Sequence, residues 1–88
     1  MKSIFKAIYG NNKIRVENTW FGGEKLYVNE KLQDINNAFF IGSSLLTGHI
    51  VSEKNEKLPA KVRIYSDFTG IKCSLFIDDK EVKLHKVK

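Results

Sequence analysis

The sequence predicts an all-β protein, a small antiparallel β-sandwich of about seven or eight strands with a pseudo-two-fold internal repeat. Three observations carry this. Apolar residues alternate with polar ones at a period of two in several short runs. Turn-forming clusters separate those runs about every eight to twelve residues. A pattern of residues then recurs at an offset of forty-eight positions.

Taken in order, Ile14, Val16 and Trp20 alternate with Lys13, Arg15, Glu17 and Thr19, and Leu26 with Val28 brackets Tyr27. Alternation of this kind places one side of a strand in the core and the other in water. Ala60, Val62 and Ile64 repeat it against Lys61 and Arg63. Cys73, Leu75 and Ile77 repeat it against Lys72, Ser74, Phe76 and Asp78. Gly10-Asn11-Asn12, Phe21-Gly22-Gly23, Asn29-Glu30, Glu53 to Glu56, Thr69-Gly70 and Asp78-Asp79-Lys80 supply the turns between runs. Residues 32 to 46 fit strand, loop or short helix, since Leu32, Ile35, Phe39, Leu46 and Ile50 can also be read at helical spacing. Strand is the expectation for Ala38 to Ile41 and for Leu45 to Ser52, because Gly42-Ser43-Ser44 interrupts the run and β-branched and aromatic residues cluster there.

The repeat aligns Lys13-Ile14-Arg15-Val16 and the following aromatic and glycine with Lys61-Val62-Arg63-Ile64 and its followers. After a one-residue insertion it continues, Leu26-Tyr27-Val28-Asn29-Glu30-Lys31 answering Leu75-Phe76-Ile77-Asp78-Asp79-Lys80. The implied units cover roughly residues 13–34 and 61–84 of a single domain spanning 1–88, each unable to bury its apolar side alone. Both hairpins lack the glycine that two-residue turns prefer. Glu30 is therefore expected to be mildly strained, or its loop to be longer by one residue.

With 88 residues the chain buries only roughly 60% of the surface its unfolded form exposes, enough for one core. No staple supplements that core: Cys73 is alone, no paired zinc-ligand spacing occurs, and no metal or cofactor is expected. The Met1 to Lys6 segment does not read as a signal peptide, and no run approaches the roughly 18 apolar residues of a membrane span. A reducing, cytoplasmic setting is the expectation. Thirteen lysines and two arginines against 10 Asp+Glu leave a formal charge of +5, dispersed without blocks of one sign. That dispersal fits a solvated surface better than a nucleic-acid footprint.

The order from Lys13-Ile14-Arg15-Val16 through Lys25 to Lys31, Phe39-Phe40, Thr47 to Val51 and Cys73 to Glu81 resembles the β-sandwich domain of the Fas apoptotic inhibitory molecule. The resemblance spans about Lys13 to Lys86 and departs from that family at both hairpins, where a glycine is usual, and where a tryptophan gives way to the Phe39-Phe40 region. It implies a non-enzymatic all-β interaction module.

No residue pattern points to catalysis. Ser43 with His49 and a carboxylate lacks a nucleophile elbow, and His85 has no partner in sequence. Cys73 is in phase with core residues and reads as an inert thiol. Asp78, Asp79 and Glu81 lack the further ligands of a calcium loop. Gly22-Gly23 precedes a strand, so no helix N-terminus receives an anion there. Outward aromatics are the stronger lead: parity puts Tyr27 and Phe76 on the polar sides of their strands, flanked by Arg15, Arg63, Lys25 and Lys72. These six residues form the candidate binding surface, for a protein partner or a second copy through an exposed strand edge. A basic module for nucleic acid or an anionic ligand is the alternative.

Overall fold

The computed structural model describes residues 2–19, 23–36 and 43–88, and it is an all-β structure of two antiparallel sheets. In chain order the strands are β1 (Lys2–Tyr9), β2 (Asn12–Thr19), β3 (Gly23–Val28), β4 (Lys31–Asn36), β5 (Ser43–Val51), β6 (Lys57–Asp67), β7 (Gly70–Ile77), β8 (Lys80–Val82) and β9 (His85–Lys86). The first sheet runs β4-β3-β2-β1-β9 and the second β5-β6-β7-β8. The described residues hold nine strands, the C-terminal segment forming two short pieces, one in each sheet. The expected strand at Ala38 to Ile41 and the position of Trp20 lie outside the described residues, whereas Leu45 to Ser52 corresponds to β5.

Period-two alternation decides which side of each strand is buried. Ile14, Val16, Leu26 and Val28 point inward from the first sheet and meet Leu46, Ile50, Ala60, Val62, Ile64, Leu75 and Ile77 of the second in one apolar core. Phe5 and Ala7 of β1 complete it. The alternation of β1 is hard to see in sequence because its outer side also carries apolar residues, Ile4 and the 73% exposed Ile8. Residues 31–36, ambiguous by spacing, are strand β4. The segments aligned at forty-eight positions occupy corresponding three-stranded meanders, β2-β3-β4 in one sheet and β6-β7-β8 in the other. Their registers differ by two residues: Leu26 faces Val16, while its counterpart Leu75 faces Val62, the counterpart of Ile14.

Both hairpin turns are two residues long. Asn29 and Glu30 have φ of 52° and 65°, and Asp78 and Asp79 have 51° and 64°, so all four occupy the left-handed region of a type I′ turn. That geometry matches the right-handed twist of the flanking strands, so the turn keeps it despite the absence of glycine.

The two lateral openings between the sheets close differently. On one side the chain itself crosses, leaving the second sheet at β8 and joining the first at β9. The pairing with β1 is extended by backbone bonds from Val87 N to Ile4 O at 2.8 Å and from Ile4 N to Lys88 O at 3.2 Å. On the other side, side chains of the first sheet cap the outer edge of β5. Asp34 Oδ2 accepts from Thr47 N at 2.8 Å, Gln33 Oε1 accepts from His49 N at 3.4 Å, and Asn12 Nδ2 donates to Val51 O at 2.8 Å. Gly48 permits this approach, since a Cβ there would stand 3.0 Å from Gln33 Cβ. The β5 edge is thus partly occupied from within, which removes it as the ready template for an added strand.

Two outcomes follow. Asp79→Gly relieves an unfavourable backbone conformation at an exposed turn and raises stability by about 0.5–1 kcal/mol in urea denaturation. Asp34→Ala frees the Thr47 N–H, so that amide exchanges faster with solvent and sedimentation shows more self-association than the parent.

Candidate basic binding face

The outer side of the first sheet gathers basic residues that are scattered in sequence. Strand register sets Tyr27 opposite Arg15, Arg15 opposite Lys6, and Lys6 opposite His85, so three basic side chains stand abreast on β2, β1 and β9. Two residues further along the same side, Lys13 faces Ile8. Lys83, from the β8–β9 connection, joins them around a cleft of about 390 Å³ whose one carboxylate belongs to Glu30. Among the described residues no carboxylate lies within 4.0 Å of the Lys6, Lys13 or Lys83 ammonium groups.

Arg15 is the fixed member. Its guanidinium lies over the Tyr27 ring at 4.2 Å from the centroid, a cation–π contact. Nη1 donates to Glu30 Oε2 at 2.7 Å and to Oε1 at 3.0 Å. Nε stands 3.0 Å from Glu17 Oε2, but its N–H is not aimed along that line and makes no hydrogen bond, so the contact is one of charge alone. Glu17 also meets Lys2 at 3.3 Å.

The six residues singled out from sequence divide between two surfaces. Arg15, Lys25 and Tyr27 lie on the outer side of the first sheet; Arg63, Lys72 and Phe76 lie on the outer side of the second. Their strands share one core from opposite directions, so outward on one sheet is away from outward on the other. The six residues therefore make up two surfaces and not one. Tyr27 is half-buried beneath Arg15, and Phe76 is half-buried between Lys61 and Glu81 on neighbouring strands. Arg63 leans toward Tyr65, 5.3 Å from its ring centroid. Among the described residues the fully exposed aromatic is Phe68, at a hairpin tip pinned by Thr69, whose N–H and hydroxyl both donate to Asp67 Oδ1. Those hydrogen bonds hold the Asp67 carboxyl below its ordinary value.

A second polar group, missed in sequence, lies inside the sandwich. Glu24 is 1% exposed, and its carboxylate accepts from Ser44 Oγ at 2.6 Å, Asn18 Nδ2 at 3.0 Å and Asn36 Nδ2 at 3.3 Å. Three neutral donors from β2, β4 and β5 surround it. Parity was the available signal, because Glu24 is in phase with Leu26 and Val28, and Asn18 with Ile14 and Val16. Cys73 packs against the core nearby; burial, and secondarily the charge of Glu24, push its thiol up to about 12. A thiol so protonated is a poor nucleophile at neutral pH, as expected from its phase.

His49 is exposed on β5, and among the described residues no hydrogen bond joins its ring to a hydroxyl or carboxylate. No three His, Cys, Asp or Glu side chains among those residues are placed to hold a metal ion. Among the described residues no helix is long and apolar enough to cross a membrane, which says nothing of a β-barrel. Comparison with known proteins finds no matching family model, no matching curated protein and no matching solved structure.

The Glu24 group sets a stability test. Glu24→Leu removes the acceptor that Asn18, Ser44 and Asn36 share and is expected to cost about 2–4 kcal/mol, read as a lower urea midpoint at unchanged slope.

Proposed function

We propose that the protein is a non-catalytic interaction module and that the basic outer side of its first sheet binds an acidic protein partner. The observation that carries this is the row His85, Lys6, Arg15. Like charges directly opposite one another across strands, as Lys6 and Arg15 are, oppose folding, and Lys13 and Lys83, with no carboxylate within 4.0 Å among the described residues, add to the same field. A surface that retains such a row gains from it when an anion arrives.

Nucleic acid is the second reading, since the same cations attract phosphate. Tyr27, the aromatic of this face, has Arg15 over its ring rather than an open stacking platform, which favours an acidic polypeptide over unpaired bases. The resemblance to the Fas apoptotic inhibitory molecule domain points in the same direction, toward an all-β module without chemistry of its own. A reducing cytoplasm suits a lone, protonated Cys73.

Lys6→Gln combined with Lys83→Gln is expected to weaken binding of an acidic peptide about five- to twentyfold at low salt and to flatten its salt dependence, by fluorescence anisotropy. Unchanged affinity excludes this face as the binding surface. Tighter binding of a single-stranded oligonucleotide than of the peptide, with a steep salt slope, selects the second reading. Lys6→Glu, which sets a carboxylate opposite Arg15, is expected to stabilise the fold by about 0.5 kcal/mol while abolishing peptide binding.

A further inference from the structure

We infer that Glu30 is an internal stand-in for a ligand carboxylate, and that the cleft takes an extended acidic polypeptide whose own carboxylate replaces Glu30 on Arg15. This rests on reading the basic face as the binding surface and names what that face recognises. Glu30 is the one acidic residue lining the cleft, and it makes two contacts with a single nitrogen of Arg15, Nη1. Its side chain is nevertheless 69% exposed, so the pair is of the kind that contributes little to stability.

Its backbone is also in a poor place for glutamate, at φ of 65° in a two-residue turn. Glycine or asparagine would fill that position more easily. A residue that breaks a local rule for a weak ion pair marks a position shaped by something other than folding. The two partners are unequally held. Arg15 is fixed by Tyr27 beneath it and by the charge of Glu17 beside it, whereas Glu30 sits at a turn in solvent. Exchange of carboxylates therefore proceeds by departure of Glu30, leaving the guanidinium in position.

The neighbours of Arg15 define the rest of the ligand. Lys6, Lys13 and Lys83 have no carboxylate partner among the described residues, and they suit further Asp or Glu side chains. Ile8, 73% exposed among them, offers an apolar contact. The matching segment is acidic, extended and carries one aliphatic or aromatic side chain. Charge complementarity selects it, and the internal carboxylate sets a threshold: a ligand has to outcompete Glu30 at Arg15, so a weakly acidic segment is turned away.

The test measures a short fluorescein-labelled Glu/Asp peptide carrying one Leu against the full chain and its variants. Glu30→Gln and Glu30→Gly are each expected to tighten binding by roughly two- to fivefold, the worth of an exposed ion pair. Glu81→Gln, the same change of charge on the second sheet, is expected to leave affinity close to the parent's. In heteronuclear spectra the Arg15 Nε–Hε resonance is expected to shift as peptide is added to the parent. Wild-type or weaker affinity in both Glu30 variants, with Lys6→Gln/Lys83→Gln still weakening binding, overturns the role of Glu30 and leaves the binding face standing. Equal tightening by Glu81→Gln overturns it as well, by reducing the effect to net charge. Indifference of the peptide to every one of these substitutions removes both the stand-in and the face.

Discussion

Everything in this molecule depends on two small sheets sharing one thin core. Each sheet buries its apolar side only against the other, and so short a chain leaves much of its surface wet. Water must then be excluded at the openings of the sandwich, where backbone groups would otherwise compete for it. The protein meets this with polar side chains aimed across the gap. Asp34 and Gln33 reach from β4 to the β5 backbone, Asn12 reaches Val51, and Glu24 draws Ser44 of the opposite sheet into a buried hydrogen-bonded group. The core supplies the driving force, and these contacts set which edges meet.

That solution has a corollary for how the surface is used. A small sandwich usually associates through a free strand edge. Here one lateral edge is capped by side chains and the other is closed by the chain passing between sheets, so the broad outer sides of the sheets become the larger accessible surfaces. The first sheet's outer side carries a concentrated field because strands distant in sequence bring their basic residues into a single row. Net charge alone did not foretell this, for the same lysines read along the chain are interleaved with acids.

Much of the architecture was legible in the sequence because period-two alternation is a local signal. It identified the inward side of β2, β3, β6 and β7, the two short turns, and the inward phase of Cys73. It failed at β1, whose outer side is also apolar through Ile4 and Ile8, and it overlooked Glu24, whose polarity hid a phase that placed it inside. The basic face was the least legible part. Parity says whether a residue points outward, but only register and sheet membership say which outward residues are neighbours. Arg15 and Arg63 therefore looked equivalent along the chain and lie on opposite surfaces, while His85 and Lys6, seventy-nine positions apart, stand side by side.

The two-residue strand β9 gives the cleft a further property. His85 is held in place by the shortest pairing in the first sheet, and Lys83 by the connection that leads to it. An anion that gathers these two side chains against β1 thereby also favours the docking of β9, and by linkage a docked β9 favours the anion. Were the cleft to bind as proposed, affinity at this face and closure of that side of the sandwich would be one equilibrium, with occupancy of the cleft read out as protection of the β1 backbone from solvent.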